Sequence, residues 1–211
     1  MKNRKPIDLI IQKLKSYGFE FVQAHVLDIF AGEGDWQTIY YADKVKSLEA
    51  WEINSSYKSG LVKNIPKAKV KITDSVKECD KKKYFGQFDL IMIDNPQNCY
   101  GINKIYAEHF DVIPKIAKLL KPKGGVLIFN INREPFDFHQ FSKWEKRRQV
   151  YYSRKHTEKI SHRWLENFYK KLFLQFGYQT IWHFKVSRRD FEHHDYLYYY
   201  VYYLKLYRDE K

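Results

Sequence analysis

The chain has 211 residues, 44% hydrophobic and 30% charged, which suits one domain (1–211) with a buried core and excludes a disordered or low-complexity protein. Its formal net charge of +13 predicts a polyanionic partner, nucleic acid before an anionic membrane surface. Two distant cysteines without metal-ligand spacing, Cys79 and Cys99, argue for a reduced, cytoplasmic setting, and the run Leu9-Ile10-Ile11 is too short for a signal peptide or membrane anchor.

In chain order, Ile7, Ile10, Ile11 and Leu14 predict one face of a helix over 6–17, stopped at Tyr17-Gly18. A first strand, 25–30, runs into a loop with two glycines, Gly32 and Gly34. A helix over 35–45 should follow, with Trp36, Ile39 and Tyr40 on one face. A second strand ends in Glu52, a helix covers 57–64, and a third strand, 68–72, ends before Thr73-Asp74. Phe88-Asp89-Leu90-Ile91-Met92-Ile93 is the clearest strand and ends in Asp94-Asn95-Pro96.

Phe110, Ile113, Ile116, Leu119 and Leu120 then predict a helix over 109–120, and a Lys-Pro-Lys-Gly-Gly turn leads into a fifth strand, 126–131. A helix over 157–176 and two late strands, 180–186 and 196–206, complete the chain. The tyrosines of 196–203 suit a strand covered on both faces. This alternation, closing in a terminal β-hairpin-like pair, predicts an α/β sandwich.

Asp28, Glu52, Asp74 and Asp94 all stand at or near strand ends that share the carboxyl rim of such a sheet. Acidic residues gathered beside a glycine loop, in a chain this basic, favour a donor-rich or cationic ligand over a polyphosphate. The third glycine of GxGxxG is missing after Gly34, which disfavours a dinucleotide.

Val26-Leu27-Asp28-Ile29-Phe30-Ala31-Gly32-Glu33-Gly34 resembles the first motif of the class I S-adenosylmethionine-dependent methyltransferases. Leu119-Leu120-Lys121-Pro122-Lys123-Gly124-Gly125 resembles their late turn with one inserted residue, and the ordered match covers roughly residues 20–130. The resemblance implies an α/β three-layer sandwich with a mostly parallel, seven-stranded Rossmann-like sheet and a C-terminal antiparallel strand. It implies S-adenosylmethionine as cofactor, with Phe30, Ala31, Gly32 and Gly34 forming its cradle and Asp28 facing the ammonium and sulfonium side. It further implies Glu52 on the ribose hydroxyls, Ile53 on the adenine face and Asp74 on the adenine amino group. Asp94 would be a further cofactor contact.

Asp94-Asn95-Pro96-Gln97 stands where amino-methylating relatives carry D/N/S-P-P-aromatic, so Asp94, Asn95 and Pro96 are the expected catalytic residues. Gln97 replaces the aromatic, and Tyr100 is a candidate to reach the same place. Asp94 could equally serve as a base for another nucleophile. A metal-dependent relative would need carboxylates after the fifth strand; Asn130 and Asn132 stand there, so no metal is expected.

Residues 133–163 interleave basic and aromatic side chains, and Lys146, Arg147 and Arg148 are expected to contact phosphates near the active-site rim. Adjacent His193 and His194 before Asp195 would point to opposite faces of an extended segment, a poor chelate, so a polar turn is expected there. The expected function is methyl transfer to nucleic acid, RNA before DNA, at a base amino group. The rivals are a small-molecule or protein methyltransferase and a non-catalytic nucleic-acid-binding relative.

Overall fold

The computed structural model describes residues 5–135, 141–188 and 196–207. Its sheet comprises β1 (His25–Ile29), β2 (Ser47–Glu52), β3 (Lys69–Ile72), β4 (Leu90–Ile93), β7 (Gly125–Asn132), β8 (Tyr178–Ser187) and β9 (Leu197–Leu206), with a two-stranded hairpin, β5 (Cys99–Tyr100) and β6 (Tyr106–Ala107), after β4. The order is β3-β2-β1-β4-β7-β9-β8. Pairing is parallel from β3 to β7, and β9 runs antiparallel to both its neighbours. The chain's direction across the sheet reverses between β1 and β4, which makes their carboxyl ends the topological switch point.

Period-two alternation divides the strands between two apolar layers. Leu27, Ile29, Ile91, Ile93, Leu127 and Phe129 face one layer with α6 (His162–Gln175); Val26, Met92, Val126 and Ile128 face the other with α1 (Pro6–Ser16). All four predicted residues of α1 are buried, and the helix stops at Tyr17 before Gly18 with φ +82°. In β9, Tyr198, Tyr199, Tyr200 and Tyr202 are all buried, because the strand lies between β7 and β8 with both faces covered. Among the described residues, no helix is long and apolar enough to cross a membrane.

Two predicted helices are corrected. Residues 35–45 form turns and two 3-10 segments, Thr38–Tyr40 and Ala42–Lys44, while Trp36 and Ile39 remain exposed. The inward positions are Thr38 and Tyr41, which turn toward Asp28; a buried carboxylate's need for donors outweighs the apolar spacing. Residues 109–120 shorten to α4 (Ile113–Ile116) and a 3-10 turn, although all five predicted apolar residues are buried. Pro114 sits in the first turn of α4, where a missing N–H does no harm, so the helix cannot begin earlier.

The hairpin and α5 (Ser142–Tyr152) had no clear sequence signal. The other short helices are α2 (Lys58–Asn64) and α3 (Ser75–Glu78). The His193-His194-Asp195 turn lies outside the described residues.

Candidate active site at the switch point

Phe30 leaves β1 with φ +65°, a conformation costly for a side chain with a Cβ. Its ring packs edge-on against Tyr100 at 5.2 Å, so the β5–β6 hairpin bears on the end of β1. The loop is tied to β2: the Ala31 N–H donates to the Trp51 carbonyl at 3.1 Å and the Gly32 N–H to Glu52 Oε2 at 2.9 Å. The Asn54 N–H donates to Glu52 Oε1 at 2.8 Å. Glu52 therefore orders the loops after both β1 and β2, and each oxygen keeps capacity for another donor. Beside it, Ile53 is exposed.

The two glycines do different work. At Gly32, φ +57°, a Cβ would meet no atom within 4 Å, leaving its backbone open on that side. At Gly34, φ +74°, a Cβ would lie 3.1 Å from Ile65 and 3.3 Å from Leu61. A side chain at Gly34 would therefore crowd Leu61 of α2 and Ile65 just after it.

Asp28 is fully buried and accepts from the Thr38 hydroxyl and, at 2.7 Å, from the Tyr41 hydroxyl. Burial pushes its carboxyl from an ordinary 3.8 up to about 7 against those two hydrogen bonds, with the Asp94 and Glu52 charges adding to the rise. The fold thus favours the neutral acid, and the cost of holding the charge grows as pH climbs from about 4 toward 7. Without added ligand, stability should fall by on the order of 3 kcal/mol between about pH 5 and about pH 8. Urea denaturation of wild type and Asp28→Asn tests this: the variant should lose that slope, and parallel slopes would contradict it.

Asp94 lies at the end of β4. Its Oδ1 accepts from Asn130 Nδ2 and from Arg188 Nη1, both at 2.7 Å, and its Oδ2 from the Tyr199 hydroxyl at 3.1 Å. The Arg188 guanidinium also lies 5.6 Å from the centre of the Trp36 ring, linking the end of β8 to the glycine loop. Asn130 fixes the next residue too, accepting from the Asn95 N–H at 3.1 Å.

The following side chains hold unpaired acceptors. Asn95 Nδ2 donates to the Pro96 carbonyl at 3.2 Å and Gln97 Nε2 to the Asn95 carbonyl at 2.8 Å, which orients both amides. Asn95 Oδ1, Gln97 Oε1 and the Tyr100 hydroxyl are buried without a partner among the described residues, as is Gln37 Oε1 on the glycine loop. Leaving such groups unpaired costs about 1–3 kcal/mol each, and a polar ligand with donors seated on the segments after β1 and β4 would pair these four. Other buried groups without a partner among the described residues, such as Thr157 Oγ1 and Thr180 Oγ1, lie away from the site.

The remaining expected site residues have different surroundings. Asp74 caps α3, accepting from the Val76 and Lys77 N–H groups at 3.1 and 3.4 Å, while its other oxygen accepts from the Tyr106 hydroxyl at 3.1 Å. That is a structural account of a residue expected on adenine. Lys146 is exposed on α5, and Arg147 grips Asp111 at 2.5 and 2.6 Å. Arg148, expected to contact phosphates, is instead wholly buried and paired with Glu108, because α5 turns that face toward the core.

Sequence reasoning missed Thr38, Tyr41, Arg188 and Tyr199. Tyr199 sits in a run of tyrosines, and nothing local marks Arg188, 94 positions from Asp94. Among the described residues, no group of three or more His, Cys, Asp or Glu side chains is placed to hold a metal ion.

No protein-family model and no curated protein sequence matches the chain. Solved structures do. A SAM-dependent methyltransferase of Methanosarcina mazei superposes with a TM-score of 0.59 at 14% identity, covering 92% of this chain and 98% of the other. The fold is that of class I methyltransferases. A Burkholderia thailandensis 1,6-didemethyltoxoflavin-N1-methyltransferase, solved with 1,6-didemethyltoxoflavin and S-adenosylhomocysteine, gives 0.57 at 15% identity over 96% of this chain and 77% of its own. A Pyrococcus horikoshii protein provisionally named as an RNA methyltransferase gives 0.56 at 13% over 97% and 83%.

Proposed function

We propose that the chain is an S-adenosylmethionine-dependent methyltransferase acting on nucleic acid, RNA before DNA, at an exocyclic base amino group. The observation that carries the substrate reading is the set of buried, unpaired acceptors beside Asp94. Asn95 Oδ1 and Gln97 Oε1 need donors, and an exocyclic amine brings two N–H groups. The net charge of +13 supports a polyanionic substrate.

The cofactor suits the residues present. Gly32 offers an open backbone, Glu52 has lone pairs for two ribose hydroxyls, Ile53 is an exposed apolar surface, and Asp28 is a carboxyl that a nearby cation would ionise. The bound cofactor would supply an activated methyl group. The chain's own work is alignment: Asp94, held by Arg188, Asn130 and Tyr199, is a fixed acceptor, and Asn95 and Gln97 orient the amine's remaining N–H. Such positioning can contribute up to about 7–11 kcal/mol in well-oriented reactions.

The test is a radiolabelled methyl-transfer panel across RNA, DNA, protein and metabolites. Label should enter RNA or DNA and disappear with Asp94→Ala. Label confined to metabolites or protein would overturn the nucleic-acid substrate; no label on any class would overturn the enzyme reading. Asn95→Ala should lower kcat/KM by roughly 10–100-fold, the worth of about 1.5–3 kcal/mol for one oriented polar contact, while cofactor affinity stays within about threefold. An equal loss of cofactor affinity would instead place Asn95 in the cofactor site.

A further inference from the structure

Two concavities flank Lys143 on α5. The smaller, about 190 Å³, lies between Asn98 and Cys99 at the exit from β4 and Phe141 and Trp144 at the start of α5, with Lys104 on its edge. The larger, about 500 Å³, lies against Phe110 and Tyr151 and is rimmed by Lys146, Arg147 and Val150. Lys143 lines both. Together they form a groove that begins one residue past Gln97 and follows one face of α5.

Charge and apolar surface alternate along it. Phe141 and Val150 are exposed at 45% and 78%, and Ile102 and Ile105 are exposed on the neighbouring hairpin turn. Lys104 and Lys146 have no carboxylate partner among the described residues, and the exposed Lys143 ammonium donates to the Asn103 carbonyl at 2.8 Å. Beneath, the buried Arg148–Glu108 pair ties α5 to the core.

We infer that this groove is the path of a single-stranded nucleic acid segment, leading an unpaired base toward Asp94–Gln97. The inference rests on the nucleic-acid reading of the switch-point site. Exposed lysines neutralise successive phosphates, while aromatic and aliphatic concavities accept base faces, which a duplex keeps stacked inside.

Fluorescence anisotropy with a fluorescein-labelled single-stranded RNA, and with a duplex of the same length, tests it. K143E/K146E should bind the single strand at least about tenfold more weakly, and its slope of log affinity against log salt should be shallower by about 1.4, two phosphate contacts at about 0.7 each. K58E/K63E on α2, an equal change in net charge, should alter affinity less than about threefold. A wild type that binds RNA while K143E/K146E matches it in affinity and slope overturns the groove but leaves the substrate reading standing. Stronger binding to the duplex overturns the groove as well. A wild type that binds no oligonucleotide and methylates only a metabolite or protein overturns both.

Discussion

Arg148→Ala should destabilise the fold by about 3–5 kcal/mol, the cost of leaving one member of a buried ion pair alone. Arg148 and Glu108 are both 0% exposed, and the guanidinium also donates to the Asn132 and Thr157 carbonyls at 3.1 and 3.2 Å. Trp144 Nε1 donates to the same Glu108 oxygen at 2.8 Å. Burial raises the Glu108 carboxyl above its usual range even against the pull of Arg148, so without the guanidinium it would take up a proton or draw in water. Because these bonds join α5, the end of β7 and the turn before α6, their loss should loosen the whole segment after β7. At roughly 2–4 °C per kcal/mol for a chain of this size, the midpoint should fall by roughly 10 °C. Calorimetry measures it. A well-packed apolar pair, Arg148→Met with Glu108→Leu, should recover part of the loss, since it relieves the unpaired charge but leaves the Trp144 N–H and the Asn132 and Thr157 carbonyls without these partners. A single variant within about 1 kcal/mol of wild type would show that the pair does not hold α5.

Glu52→Ala should lower S-adenosylmethionine affinity by on the order of 100-fold or more. The carboxylate has two tasks in the proposed site. It accepts the Gly32 and Asn54 N–H groups at 2.9 and 2.8 Å, and it would accept ribose hydroxyls with its remaining lone pairs. A hydrogen bond to a charged group contributes about 1.5–3 kcal/mol, so losing two of them to the ligand removes about 3–6 kcal/mol. Each factor of ten in affinity is about 1.4 kcal/mol. Glu52→Gln should fall between, since an amide keeps one acceptor but turns its NH2 toward a backbone donor. Titration calorimetry with S-adenosylmethionine and S-adenosylhomocysteine reads the loss directly. Affinity within about threefold of wild type in Glu52→Ala, with the fold intact, would remove Glu52 from the cofactor site.

The elements that proved legible were those dense in apolar residues. β4 is an unbroken aliphatic run, β1 and β7 are mostly apolar strands carrying Asp28 and Asn130, and α1 repeats its apolar face cleanly. The pattern misled where one polar or cyclic residue outweighed several apolar ones. Asp28 turned Thr38 and Tyr41 inward in place of Trp36 and Ile39, and Pro114 set the start of α4. In the basic segment, spacing alone could not show which of three consecutive cations would be buried; α5 sends Arg148 to the core, Arg147 to Asp111 and Lys146 to solvent.

The sequence by itself determined the α/β architecture and the placing of a glycine loop and acidic side chains at strand ends, because strand periodicity and turn chemistry are local. Only the tertiary structure decided what each acid does. Glu52 reaches back to Gly32, burial raises the Asp28 carboxyl to about 7, Asp74 caps a helix, and Asp94 is held by Arg188 from the far end of the chain. A carboxylate's role depends on the donors and dielectric around it, and at the switch point those arrive from strands distant in sequence.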